Sequence, residues 1–242
     1  LKMINCNVEN NSNGLYMYRV TGLFIDGGTY NNNQGSANTD GVGIYASDLN
    51  NGFTTCKPNI IKNVTVTGNS RGIILHMYAG SDYTFENIVA SGNNVDDADK
   101  GQGITLGWHS ATSNKITFNN VTASNNERSN IWVIAYPGTA LYNLLIKNCN
   151  VSGSLGSGIE LYSIGTGVIS NAVISDCEIA NNNEGISFRA TAPSSAANTG
   201  NEAHFNNIVG NSMGLSNTDT DTSDVFDATK NWWGAASGPT HA

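Results

Sequence analysis

The sequence predicts an all-β chain wound as a parallel β-helix, a solenoid of about eight coils closed by a C-terminal Trp cap. Three observations predict it: a repeat of uneven length, two-residue alternation within every repeat, and an asparagine that returns at one place in most of them. The repeat reads apolar-x-Asn-apolar-x-apolar, then a short Asn/Gly/Ser turn, then Gly-apolar-x-apolar. It starts at Met3, Ile25, Ile61, Phe85, Phe118, Ile146, Ile174 and Phe205. A second apolar column follows three residues later, at Cys6, Gly28, Val64, Ile88, Val121, Cys149, Cys177 and Ile208. Neighbours in that column stand 22 to 36 residues apart, about 29 on average.

The alternation is a strand signal, and no window keeps an apolar stripe of helical period. A propeller blade needs about 40 residues or more, whereas a β-helix coil needs fewer. The asparagine decides between them. It recurs at Asn5, Asn63, Asn87, Asn120, Asn148 and Asn207, with Asp176 and Gly27 in its place twice. Coils that stack like on like let such amides hydrogen-bond along the axis. A stack also absorbs insertions in single turns, here at 47–59, 95–101 and 191–202. The ending Lys230-Asn231-Trp232-Trp233-Gly234 departs from the repeat. It reads as a cap over the last coil, because an open stack leaves strand edges and core uncovered; two adjacent Trp also suit sugar stacking. The expected layout is one domain over 1–242, with coils in 1–216 and the cap in 217–242. Leu1 to Val8 already belong to the repeat, so the chain reads as a segment of a longer protein whose targeting signal lies upstream.

Composition bounds the function. Charged residues make up 12%, about half the usual share, and 37 Asn with 27 Gly supply turns instead. A net charge of −8 without a basic patch argues against nucleic acid. No run approaches the roughly 18 apolar residues of a membrane span, so no membrane insertion is expected. Cys6, Cys149 and Cys177 fall in the inward column and read as buried thiols, while Cys56 lies in an inserted loop.

The repeat, with the Asn-Trp-Trp-Gly ending and Gly238-Pro239 behind it, resembles the pectate-lyase-like, single-stranded right-handed parallel β-helix superfamily. That resemblance implies right-handed winding, a secreted or cell-surface location and a carbohydrate partner. The superfamily includes lyases, hydrolases, epimerases and non-catalytic modules, so it does not choose an activity. Asn38-Thr39-Asp40-Gly41 resembles the polygalacturonase motif, which the family follows with Asp-Asp, Gly-His-Gly and Arg-x-Lys. Here those coils read Ser70-Arg71-Gly72-Ile73, Gly101-Gln102-Gly103-Ile104 and Asn130-Ile131-Trp132-Val133. The partners are absent, and Asp40 reads as a turn residue.

In the Gly-apolar-x-apolar strand the residue after the inward one points outward. This yields Tyr16, Tyr45, Ile74, Thr105, Trp132, Glu160 and Ser187, then Tyr18, Ser47, His76, Gly107, Ile134, Tyr162 and Arg189 two positions on. Coils about 4.8 Å apart match a linear glycan, and a flat aromatic face with polar groups suits polysaccharide. Tyr16, Tyr18, Tyr45, Trp108, Trp132, Glu160, Tyr162 and Arg189 are the expected contacts; Glu160 and Arg189 also read as a surface ion pair. A uronate lyase or epimerase needs a base for the C5 proton and a cation for the carboxylate. His76 with Tyr45 and Arg71 fits those roles, and His109 beside Trp108 is a second base. Asp96, Asp97 and Asp99, near Asn93 and Asn94, offer oxygen ligands for Ca²⁺, and Asp219, Asp221 and Asp224 form a weaker cluster. The alternative is a non-catalytic adhesive or rigid structural module.

Overall fold

In the computed structural model, residues 1–35, 41–52, 56–78, 82–94, 101–108, 115–191, 198–219 and 225–235 are described; they form strands and turns and no helix. The strands pair in parallel into a 12-stranded, an 8-stranded and a 2-stranded sheet. Partners lie one repeat apart: Ile44 beside Ile73, Ile104 beside Ile131, Phe85 beside Phe118. The chain is a parallel β-solenoid. Among the described residues its third sheet holds Ala140–Tyr142 and Val168–Ser170, and complete three-sided coils are fewer there than the eight that the repeat predicts.

The inward columns make the core. Ile44, Ile73, Ile104, Ile131, Ile159 and Ile186 are fully buried in the 8-stranded sheet, facing Ile25, Ile61, Phe85, Phe118, Ile146 and Ile174 in the larger one. β-Branched side chains suit this stack because each packs on its like one rung away. Phe85 and Phe118 stack with ring centroids 4.6 Å apart. Cys149 and Cys177 are buried free thiols on adjacent rungs, the Cys149 amide donating to Cys177 Sγ at 3.4 Å. The hydrogen bond with Cys149 and burial push the Cys177 thiol far above its ordinary range, which leaves it unreactive.

Two sequence expectations need correction here. The last coil lies two residues earlier than the spacing predicts: Ala203, not Phe205, stands beside Ile174, and Ile208 stands beside Ile179. Phe205 is 62% exposed at a left-handed turn position (φ 59°), where Asn recurs in other coils. Ala203 is too small to mark an apolar column by itself. The cap, too, is not formed by both Trp. Trp233 packs partly on the core, its ring against Gly214, while Trp232 is 51% exposed. This segment instead continues the pairing, through Glu202–Asp227 and Asn207–Trp232 bridges.

The asparagine column is present and lies outside. Asn63, Asn87, Asn120 and Asn148 sit at φ of 53–56°, a conformation that Asn tolerates through its short polar side chain. Their amides bond along the axis, Asn120 Nδ2 to Asn87 Oδ1 at 2.8 Å and Asn87 Nδ2 to Asn63 Oδ1 at 2.9 Å.

A second ladder, not foreseen, runs inside. Asn33, Asn69, Asn93, Asn126 and Asn182 are at most 3% exposed. Asn33 Nδ2 donates to Asn69 Oδ1 at 3.0 Å, Asn69 to Asn93 at 3.0 Å, Asn93 to Asn126 at 3.1 Å, and Asn182 to Asn211 at 3.0 Å. Each also reaches back to a main-chain carbonyl, as Asn93 does to Val66 O at 3.1 Å. These amides satisfy the backbone where the coil turns a corner inside the core. They also explain the recurring Gly: a Cβ on Gly72 would lie 2.2 Å from Gly103 O and 2.9 Å from Asn93 Nδ2. At two adjacent coils the columns change together. Ser154 replaces the ladder Asn, and Asn130 replaces the Gly. The Asn130 side chain then accepts from Asn126 at 2.6 Å and donates to Asn182 at 3.1 Å, carrying the ladder past the gap.

Candidate functional site

The 8-stranded sheet presents the outward columns, and the register aligns Tyr16, Tyr45, Ile74, Thr105, Trp132, Glu160 and Ser187 as expected. The next column holds His76, Gly107, Ile134, Tyr162 and Arg189 in line. Ser47 is not among them, because the Val42–Leu49 strand bulges between Ala46 and Leu49. Arg71, singled out in the sequence, begins a further column that alternation passed over, with Gln102, Ser129, Ser157 and Glu184, each two residues before the inward Ile. That constant offset was the available signal.

The face is not uniformly flat. Tyr16 and Tyr18 are 60% and 63% exposed, and Tyr16 stacks on Tyr45 at 4.6 Å between centroids. Asp48, hydrogen-bonded to the Tyr18 hydroxyl, raises the pKa of that phenol. Further along, Ile74, Thr105 and Ile134 are only 3–6% exposed although they point outward. Longer side chains rise around them. Arg71, His76, Gln102, Arg128, Trp132 and Tyr136 join them in lining a depression of about 240 Å³. His76 meets the Tyr45 ring edge-on at 5.7 Å, and the Arg128 guanidinium stands 5.6 Å over the Trp132 ring. Such a cation over an indole face is held by the ring quadrupole. Burial raises the Tyr136 phenol, which stays protonated.

Within this lining Thr105 Oγ1 and Trp132 Nε1 are buried without a hydrogen-bond partner among the described residues. Buried polar groups are ordinarily paired, so each stands ready for a bound group. Two guanidiniums, an imidazole, a hydroxyl and an indole N–H around one hollow can hold an anion beside a ring face.

Beyond Arg128 lies a second depression of about 250 Å³, lined in part by Ser129, Ser157, Glu160 and Arg189. Glu160 and Arg189 do pair, at 3.6 Å, but Glu160 is only 9% exposed, so this is no surface ion pair. Ser129 Oγ donates to Glu160 Oε2 at 2.5 Å, and Arg189 Nη2 bonds Glu184 Oε2 at 2.9 Å. Burial works against ionising Glu184, but hydrogen bonds from Arg189, Ser187 and Ser157 outweigh it and hold its carboxyl below the usual range. A lowered carboxyl stabilises the fold above its unfolded pKa of about 4.3, and that contribution is lost as pH falls through the folded value. The melting temperature at low salt is therefore expected to hold between about pH 7 and 5 and to fall below about 4. Circular-dichroism melts of Glu184→Gln should show a shallower acid limb; an unchanged limb refutes this.

Trp108 ends the Ile104–Trp108 strand, and its side chain lies outside the described residues, as do His109, Asp40, Asp96, Asp97, Asp99, Asp221 and Asp224. Asp219 accepts from Asn198 Nδ2 at 2.8 Å. Among the described residues no group of three or more His, Cys, Asp or Glu could hold a metal ion. No helix there is long and apolar enough to cross a membrane.

No family model and no curated protein matches the chain. Among solved structures it is similar to the A-module of the mannuronan C-5 epimerase AlgE6 from Azotobacter vinelandii, at 13% identity and a TM-score of 0.29, over 97% of this chain and 84% of that one.

Proposed function

We propose that this β-solenoid is an extracellular module that binds uronate-containing polysaccharide along its 8-stranded sheet. One observation carries the reading: Arg71, Arg128 and His76 line the same depression as the unpartnered Thr105 Oγ1 and Trp132 Nε1. A uronate carboxylate pairs with the guanidiniums, and its sugar ring lies against Trp132. The exposed Tyr16 and Tyr18, with Tyr45 behind, extend the contact along the axis. Rungs about 4.8 Å apart suit a chain lying lengthwise. Calcium at Asp96, Asp97 and Asp99 belongs to this reading as a helper of anion binding.

Calorimetric titration of hexagalacturonate and of cellohexaose tests it. The acidic oligomer is expected to bind and the neutral one to bind far more weakly. Arg71→Gln and Arg128→Gln should each weaken the acidic ligand about 10- to 100-fold, the worth of a charge-assisted hydrogen bond. Equal binding of both oligomers, or no loss in either variant, refutes the proposal.

His76 in the same lining, edge-on to Tyr45, favours a lyase or epimerase as the second reading. A His76 nitrogen would take the C5 proton while Arg71 and Arg128 hold the carboxylate. In a lyase the electron pair then forms the C4=C5 bond and the C4 oxygen leaves with a proton. New ultraviolet absorbance that His76→Ala abolishes supports the lyase, and inversion at C5 without new absorbance supports the epimerase; binding without turnover assigns a non-catalytic module.

A further inference from the structure

The face changes sign along its length. The Arg71–Met77 strand brings Arg71 and His76 to the first depression, whereas the second is lined by Glu160 of the Ser157–Ser163 strand and by Glu127, and Glu184 pairs with the Arg189 that lines it. The Glu160 carboxylate is fixed there by Ser129 Oγ at 2.5 Å and Arg189 Nε at 3.6 Å. Arg189 is already committed to Glu184 at 2.9 Å, so one guanidinium serves two carboxylates and negative charge is left over. Arg128 lines both depressions. Thr105 and Glu160 are two rungs apart in one column, about 10 Å, so one bound chain passes from the first depression into the second.

A carboxylate arriving in the second depression meets Glu127 and Glu160, while the Arg189 that lines it is already held by Glu160 and Glu184, and like charges at close quarters repel strongly. A hydroxyl or amide N–H arriving there meets acceptors in Glu160, Ser129 and Ser157. Resting on the uronate reading above, we infer that the ligand is a heteropolysaccharide in which uncharged sugars separate the uronates, and that the Glu160 depression weakens the binding of homopolymeric uronates without abolishing it.

The test compares two probes on the full chain by calorimetry at one ionic strength. One is hexagalacturonate; the other is an octasaccharide of gellan, whose glucuronates are separated by runs of uncharged sugars. Wild type is expected to bind the gellan oligomer at least tenfold more tightly. Glu160→Gln should tighten hexagalacturonate about tenfold and leave gellan unchanged, and Glu184→Gln should act in the same direction. Equal binding by wild type, or preference for hexagalacturonate, overturns the inference and leaves the uronate reading standing. A tenfold preference unchanged in both variants overturns the role of this depression. Binding of neither probe overturns the uronate reading and this inference with it.

Discussion

Asn93→Ala is expected to lower the unfolding free energy by about 4 kcal/mol, and the melting temperature by roughly 10 °C, although Asn93 touches no candidate ligand. Its Oδ1 accepts from the Asn69 main-chain N–H at 3.2 Å and from Asn69 Nδ2 at 3.0 Å. Its Nδ2 donates to Val66 O and to Asn126 Oδ1, both at 3.1 Å. Truncation strands buried groups on two neighbouring rungs, each costing about 1–3 kcal/mol. The control is Asn87→Gly in the outer ladder. There the amide bonds are solvent-exposed and φ is 53°, so Gly fits and the change should stay within about 0.5 kcal/mol. Urea unfolding measures both; equal losses at the two positions would sink the distinction between the ladders.

The second large effect lies at Asn130 and Ser154. Asn130→Gly restores the Gly column but removes the acceptor of Asn126 Nδ2 and the donor to Ser152 O and Asn182 Oδ1. A loss of about 3 kcal/mol is expected. Ser154→Asn alone puts a second amide where Asn130 already lies, and overpacking costs about 1–3 kcal/mol. Together the two changes recreate the arrangement of the other coils. The double variant should therefore sit within about 1 kcal/mol of wild type, with a coupling energy of roughly 3 kcal/mol. Additive losses in the double-mutant cycle would show that Asn130 does not stand in for the missing ladder residue.

Most of the fold was legible because a solenoid repeats its constraints. The isoleucine column from Ile44 to Ile186 and the outer Asn column could be read from spacing alone. Phe205 misled because apolar-x-Asn reads equally well two residues later, and only burial of Ala203 and Ile208 settles the register. The inner ladder was hidden because buried and exposed Asn look alike in sequence; the Gly that accommodates it was visible, but not its cause. At the site, the Tyr16, Tyr45, Trp132 and Glu160 column followed from alternation. Arg128 and Tyr136 flank their strand rather than alternate within it, so period-two reasoning passed over them. The sinking of Ile74, Thr105 and Ile134 depends on how long side chains lean across rungs, which spacing does not encode.

The inner ladder also bears on mechanical load. A pull along the axis loads the bonds within one inter-coil interface together but the interfaces one after another, since each coil touches only its neighbours. The chain is then as strong as its weakest joint, not its average one. Most joints carry their own Asn-to-Asn bond, but Ser154 offers only its main-chain N–H to Asn182 and its hydroxyl to Arg128 O, and Asn130 spans two rungs to reach Asn182. Under tension, the coil bearing Ser154 is expected to part first.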